Sequence, residues 1–402
     1  MKSTLTTLTM TKTGSSPVGV TDSSVPELLR LEAIREILGS PGPCVTILLP
    51  PYRPGGLEGS SAVLLRANIQ EAARQLGERG VSKTAIASLM QPLRDRAEDP
   101  ALAAGSHWGR AIFRSPDVFQ EFHLTNEVDA SLTVGGCFSI RQLAQELSRP
   151  SLFYVLALSK TRVALLRCTG LHAEVAKLPA GIPDTLAEAL ELERPDHDLE
   201  GRSAAGTSTG AMHSVRFGTG SGRERQHTHL ADYYKLIDRG LQEAFHGPYI
   251  PLILAGVEED VAIYRAGSAY PNLVKGAIFG SLNAAYEAAE ILRQAYSILR
   301  ADEIEREHAE LISAKERTAP SRFSTDPDII LGATFQGRVG QIYLNEHAKK
   351  IDVCERGTYQ SWGKEDLLNL AAVQTLIHRG QVWTLPAEMM PDGSVAAALM
   401  RF

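Results

Sequence analysis

The chain has only four cysteines in 402 residues (Cys44, Cys137, Cys168 and Cys354), far apart and with no C-x-x-C pair. That spacing argues against a zinc ribbon or a disulfide framework and fits a reducing compartment. No stretch approaches the ~20 consecutive apolar residues that a membrane span needs. The opening segment, residues 1–24, is Ser/Thr-rich and has no apolar signal-peptide core, so it reads as a disordered tail of a cytoplasmic protein with no membrane partner. A Walker lysine pattern is missing. Gly218-x-Gly220-x-Gly222 follows no strand, and Arg223 breaks the dinucleotide spacing, so neither an NTPase nor a nucleotide cofactor is expected. Charge of one sign is also lacking: 41 Lys and Arg stand against 47 Asp and Glu, a formal −6. Any nucleic-acid contact must therefore come from local basic segments.

What is present is ordinary globular composition, 44% hydrophobic and 22% charged. At roughly 150 residues per domain, the length suggests about three domains. In the first, residues 25–149, a helix at 25–38 ends in the breaker Gly39-Ser40-Pro41-Gly42-Pro43. The β-branched run Cys44 to Leu49 reads as a buried strand stopped by Pro50 and Pro51. Helices follow at 60–78 and 82–97. Strands at 109–113 and 119–124 are joined by the turn Ser115-Pro116-Asp117, and a short helix lies at 139–147.

The middle domain, 150–263, opens with a hairpin, strands 152–158 and 162–168 around Ser159-Lys160-Thr161. A strand at 171–178 comes next. Residues 195–228 are rich in Gly, Ser, Thr, Arg and His and almost empty of aliphatics. A loop of that length is usually functional or disordered. It feeds a helix at 231–245 and a strand at 251–255. The third domain, 264–402, shows helices at 280–298 and 301–317, strands at 339–344, 351–355, 381–385 and 395–402, and a helix at 364–379. The fold class is α/β: three α/β domains, the middle one a mixed sheet with a long polar loop, the last a small α/β/α sandwich.

The order of these landmarks resembles the archaeo-eukaryotic class-one release factor and Pelota family, and more closely its bacterial group. Val45-Thr46-Ile47-Leu48-Leu49-Pro50-Pro51 looks like the family's opening strand, and Gly109-Arg110-Ala111-Ile112-Phe113 sits where its second hydrophobic strand stands. Phe153 to Leu158 with Val163 to Leu166 resembles the start of the middle domain. Pro251 to Gly256 is similar to a later strand that also ends in Ala-Gly. Gly337-Arg338-Val339, Asp366-Leu367-Leu368, Gly380-Gln381-Val382-Trp383 and the ending Ala396 to Phe402 are similar to third-domain features. The resemblance implies a monomeric ribosome-associated translation factor. Its middle domain would meet peptidyl-tRNA and rRNA in the peptidyl-transferase centre, and its third domain would contact the ribosome or a translational GTPase.

In that family a Gly-Gly-Gln tripeptide at the tip of the middle-domain loop promotes hydrolysis of the peptidyl-tRNA ester. Glycines open backbone conformations closed to other residues, and a backbone N–H stabilises the developing charge. The matching residues here are Gly220, Gly222 and Gln226, the implied catalytic set, but Arg223-Glu224-Arg225 separates the second glycine from the glutamine. Across 201–229 four arginines (Arg202, Arg216, Arg223, Arg225) against Glu224 give +3, with His227 and His229 beside them. Such a loop suits RNA phosphates; a solvated mobile loop is the plain alternative. The stop-codon readers' Asn-Ile-Lys-Ser is represented only by Asn68-Ile69-Gln70-Glu71. The expectation is codon-independent ribosome rescue by ester hydrolysis, or else a non-catalytic hibernation factor in the ribosomal A site.

A third reading is a metal-dependent hydrolase. His227-Thr228-His229 with Asp232 could ligate a metal, as could Asp196-His197-Asp198. Neither has further ligands close in sequence, so no metal is expected. Tyr233, Tyr234 and Tyr249 could stack on bases, although Tyr233 and Ile237 at helical spacing suit a core face. The charged stretch 302–317 suits a solvated helix face.

Overall fold

The computed structural model describes residues 20–21, 27–40, 42–51, 60–103, 108–125, 128–141, 143, 146, 152–192, 220–245, 249–280, 288–348 and 366–402. They fall into two compact units, one holding residues up to His123 with Val128–Phe138, the other Leu124, Thr125 and the described residues from Ser139 on.

The first unit contains β1 (Val20–Thr21), α1 (Glu27–Gly39), β2 (Cys44–Leu49), α2 (Ser61–Glu78), α3 (Lys83–Glu98), α4 (Pro100–Ala103), β3 (Gly109–Arg114), β4 (Phe119–Leu124) and β5 (Ser131–Gly135). The sheet runs β1-β4-β3-β2-β5. β2 is antiparallel to β3 and β5, with Ile47 opposite Ile112 and Leu132. Every residue of β2 is buried, as expected of a central strand with both faces covered. Ser60 caps α2 by accepting from the Val63 N–H. Leu65, Ile69, Ala72 and Leu76 then form one buried stripe, each leucine contributing about 2 kcal/mol by burial.

This unit also buries charge. The Glu121 carboxylate is 1% exposed and accepts from Arg96 Nε at 2.7 Å and Arg110 Nη1 at 2.6 Å. Burial alone would raise the Glu121 carboxyl; the hydrogen bond and charge of Arg96, with the charge of Arg110, outweigh it and hold it below the usual range.

The second unit holds β6 (Leu152–Leu158), β7 (Val163–Thr169), β8 (His172–Ala176), α5 (Leu186–Leu192), α6 (Gly220–Ala244), β9 (Leu252–Gly256), α7 (Glu258–Gly267) and β10 (Leu273–Phe279). After these come α8 (Ala288–Arg317), β11 (Phe323–Ser324), α9 (Pro327–Phe335), β12 (Val339–Asn345), α10 (Leu367–Ile377), β13 (Gln381–Leu385) and β14 (Ala396–Met400). One sheet runs β10-β9-β6-β7-β8, the other β11-β14-β12-β13. In the first, β10, β9 and β6 are parallel while β7 and β8 turn back as hairpins. Sequence spacing gives no sign of α7 or β10. The expected boundary at 263/264 lies inside α7, and β10 pairs with β9, so the middle sheet reaches Phe279.

The two helices expected at 280–298 and 301–317 are one. From Ala288, α8 runs 30 residues without interruption, about 45 Å at 1.5 Å per residue. Ile298 to Glu303 contains no Gly or Pro to break it. The Tyr296 hydroxyl donates to the Gly170 carbonyl at 2.6 Å, and its ring lies 5.2 Å from Phe153. A turn later Arg300 Nη2 donates to the Thr384 carbonyl at 3.0 Å. Leu311 then joins Tyr343, Leu385, Met390 and Ala397 in the core of the other sheet. The charged face read from 302–317 is only partly solvated, because Glu303 and Glu307 are buried; burial raises the Glu307 carboxyl despite the nearby Arg306 charge. In the expected helix at 139–147, Arg141, Leu143 and Glu146 are helical, while residues 142, 144, 145 and 147 lie outside the described residues; the expected strand at 351–355 lies wholly outside them.

Candidate functional site

In an open α/β sheet, ligands gather beyond the carboxyl ends of parallel strands. Here that edge is formed by the ends of β6 and β9. Beyond β6 comes the Ser159-Lys160-Thr161 turn, and beyond β9 comes Val257 with the first turn of α7, Glu258-Glu259-Asp260. The strand end admits no side chain at Gly256: a Cβ there would stand 2.9 Å from the Leu158 carbonyl oxygen.

Four side chains meet at this edge. Lys160 Nζ pairs with Glu259 Oε2 at 2.8 Å. The hydrogen bond from Lys160, then its charge and that of His227, hold the Glu259 carboxyl below its usual range. Asp260 is 1% exposed, and its Oδ1 is buried without a hydrogen-bond partner among the described residues. Burial raises the Asp260 carboxyl, with Lys160 opposing and Glu259 reinforcing the shift. Tyr234 Oη donates to the Ser159 carbonyl at 3.3 Å, and burial raises its phenol. The group is a buried acid of raised pKa beside an ion pair, a type of arrangement that recurs at functional sites.

Helix α6 brings the residues singled out by sequence toward this edge. Its buried face, Leu230, Tyr233, Tyr234, Ile237 and Leu241, belongs to the core of the sheet, which settles Tyr233 and Tyr234 as core residues rather than free stacking platforms. Asp238 on the same helix is a hub. It accepts from Tyr264 Oη at 3.0 Å, the Ala269 N–H at 2.8 Å, Gln242 Nε2 at 2.6 Å and Ser268 Oγ. The carboxylate thereby ties α6 to α7 and to the turn that precedes β10.

The helix starts at Gly220, eleven residues before the expected start at Ala231. Gly220, Gly222, Arg223, Arg225 and Gln226 therefore lie in helical backbone, and their side chains are outside the described positions. In a regular helix only about the first four N–H groups are unsatisfied, so the Gln226 N–H is committed to the carbonyl one turn back. His227 and His229 are exposed on α6. Two helical positions apart puts them about 200° around the axis, on diverging sides rather than on the common face a metal pair needs. Among the described residues no group of three or more His, Cys, Asp or Glu is placed to hold a metal ion. Arg202, Arg216 and the cluster Asp196-His197-Asp198 lie outside the described residues.

Lys160, Glu259 and Asp260 went unrecognised in the sequence. The available signal was the acidic triplet directly after the Ala255-Gly256 strand end. Among the described residues no helix is long and apolar enough to cross a membrane.

Residues 151–301 match the sequence family described as bacterial archaeo-eukaryotic release factor family 6. No curated protein matches the chain. Among solved structures, the archaeal translation termination factor aRF1 is 12% identical, covers 95% of this chain and 99% of its own, and has a TM-score of 0.24. Archaeoglobus fulgidus Pelota is 11% identical over 73% of this chain and 79% of its own, with a TM-score of 0.35. S. cerevisiae Dom34, described as a translation termination-like factor that interacts with Hbs1, is 9% identical over 71% and 74%, with a TM-score of 0.28. The matched segment, 151–301, holds the β10-β9-β6-β7-β8 sheet, the Asp238 helix and the acidic turn at Glu258.

Proposed function

We propose that this protein is a ribosome-binding translation factor that works without reading a codon, and that it occupies the A site rather than hydrolysing the peptidyl-tRNA ester. The observation that carries this reading is the helical backbone of Gly220 to Gln226 inside the family-matched segment. Ester hydrolysis needs a backbone donor free to meet an oxyanion. A glutamine N–H inside a helix is not free, and the three residues between Gly222 and Gln226 move the side chain almost a further turn along. Codon reading is disfavoured by Glu71, half-exposed on α2 and tied to Arg74 where an RNA-facing site would want positive charge. rRNA is the proposed partner, and a translational GTPase is the proposed delivery factor.

One feature favours hydrolysis as the second reading. Gly220 and Gly222 stand at the first helical positions, where glycine weakens the turn by up to ~1 kcal/mol each relative to alanine, so the end of α6 can open. The test is sucrose-gradient co-sedimentation with ribosomes carrying peptidyl-tRNA and an empty A site, scoring released peptide in the same fractions. The expected result is binding without release. Release that disappears with Gln226→Ala would install the hydrolytic reading instead, and absence of binding at low salt would overturn both.

A further inference from the structure

We infer that four arginines at one end of the β11-β14-β12-β13 sheet form a docking surface for an RNA phosphate backbone. This rests on the ribosome-binding reading above and assigns a contact surface to it. Arg322 immediately precedes β11, Arg401 immediately follows β14, Arg338 immediately precedes β12, and Arg379 stands two residues before β13. The register brings all four to the same end. Phe323 lies opposite Leu399, and Val339 opposite Met400. The Arg401 N–H donates to the Arg338 carbonyl at 2.8 Å, and β13 runs parallel to β12 from Gln381 opposite Gln341. Each of four adjacent strands thus contributes one arginine.

The segments that build this end supply no Asp or Glu to compensate them. Segments 318–324, 337–342, 374–381 and 396–402, which build this end, contain these four arginines and not one Asp or Glu. Among the described residues, none of the four side chains makes an ion pair with an Asp or Glu, whereas Arg74, Arg96, Arg110, Arg167 and Arg293 all do. In a chain of net −6, a cationic row of this kind is a local exception.

The plain alternative is that the arginines serve helix C-termini, since α9 and α10 both end here. It accounts for Arg401, whose Nη2 donates to the His378 carbonyl at 2.9 Å, the last residue of the α10 cap. It does not account for Arg322 and Arg379, which are exposed and whose side chains have no hydrogen-bond partner among the described residues. Arg379 also holds a left-handed φ of 59°, a conformation costly for a side-chain-bearing residue; glycine would serve the turn better, so the cap does not explain the arginine. Arg338 is held by the Phe402 carbonyl at 3.2 Å, and the Phe402 ring is 69% exposed beside it, an aromatic face available to a base.

A continuous row of cations favours RNA over an acidic protein. Adjacent strands are about 4.8 Å apart, so the row spans roughly 14 Å, a length over which a nucleic-acid strand presents an unbroken series of phosphates. Guanidinium groups suit such bidentate recognition better than lysine would.

The test uses the full chain and two probes, 70S ribosomes and a fluorescein-labelled 16-base-pair RNA hairpin, each titrated across a salt series. Arg322→Gln/Arg379→Gln is compared with the wild type and with Arg74→Gln/Lys275→Gln, which removes the same charge from surface ion pairs elsewhere. We expect the first variant to weaken binding to both probes at least tenfold and to flatten the log K against log salt slope by nearly two units, just under one per lost phosphate contact. The control is expected to move neither by more than about twofold. Unchanged binding of both probes by the arginine variant, with wild-type ribosome binding intact, overturns this surface and leaves the ribosome reading standing. Ribosome binding lost while hairpin binding persists assigns the row to an acidic ribosomal protein and overturns the RNA assignment. Hairpin binding that needs the arginines, in a protein that ignores ribosomes, keeps the surface and overturns the ribosome reading.

Discussion

Replacing Asp238 with Asn keeps the volume of the side chain and removes half of its accepting capacity. Oδ1 accepts from Tyr264 and Ser268, and Oδ2 accepts from Ala269 and Gln242. The amide is best placed with its oxygen toward the Ala269 and Gln242 donors and its NH2 toward the Tyr264 and Ser268 hydroxyls, which must rotate to accept. Four charge-assisted hydrogen bonds become neutral ones, each losing about 1 kcal/mol. The site is 3% exposed, so water cannot fill in. The expected destabilisation is about 3–5 kcal/mol, which at an m-value near 2–3 kcal/mol/M moves the urea midpoint down by about 1–2 M. Far-UV circular dichroism across a urea series reads the midpoint. Amide exchange locates the loss, which should fall on α6, α7 and 268–270. Tyr264 gives a second reading, because its phenol is raised by burial and then by the Asp238 charge, so the variant's phenol should titrate lower in a folded protein. A loss under ~1 kcal/mol, with exchange unchanged at α7, would refute the assignment of Asp238 as the tie between these elements.

Two further outcomes are expected. Glu121→Gln leaves Arg96 and Arg110 buried beside a neutral amide, and breaking such a pair costs about 3–5 kcal/mol. Because the native Glu121 carboxyl is depressed, its contribution is fully present above the unfolded value near pH 4.3 and is lost as pH falls through the lower native one. Acid unfolding of the wild type should therefore steepen below about pH 4, and the variant's stability should be flatter there. Gly222→Ala should stabilise the start of α6 by up to ~1 kcal/mol, seen as slower amide exchange at 223–227, with ribosome binding retained; loss of binding would mean that the bound form needs an open backbone.

Elements with a single strong periodic signal were legible in the sequence. The Cys44–Leu49 strand, the hairpin of β6 and β7 and the two capped helices α2 and α3 fall within a residue or two of expectation, because their turns and caps are written in Pro, Gly and Ser next to the apolar run. α7 and β10 were not legible. Only Val261 and Tyr264 of the apolar residues of α7 are fully buried, too few to declare a period, and β10 carries Lys275 and Gly276 in its middle. The single α8 looked like two helices because its apolar stripe changes partner near Leu299, from the sheet of β6 to that of β14, while the charged residues on its later turns include buried acids. The edge cluster of Lys160, Glu259 and Asp260 joins a turn to a helix start 99 residues away, a proximity that no local pattern encodes.

The start of α6 shows how far composition and conformation can part. Gly, Ser, Arg and His before Leu230 carry every compositional mark of a loop, yet the backbone there is helical from Gly220. The reconciliation lies in where the helix is anchored. His227 and His229 are exposed, and Leu230 is the first described side chain that reaches the core. Everything ahead of it is helix by extension from a buried segment, since propagation adds one hydrogen bond per residue fixed once a nucleus exists. Such an extension is weak. With two glycines in its first turn, opening it down to Leu230 gives up only a few kcal/mol of propagation and propensity. Two or three phosphate contacts from Arg223 and Arg225 are of similar size. Under the proposed ribosome-binding reading, binding and hydrolysis would differ by whether RNA holds the extension helical or draws it out, and the difference would rest on the turns before Leu230 rather than on the sheet beneath them.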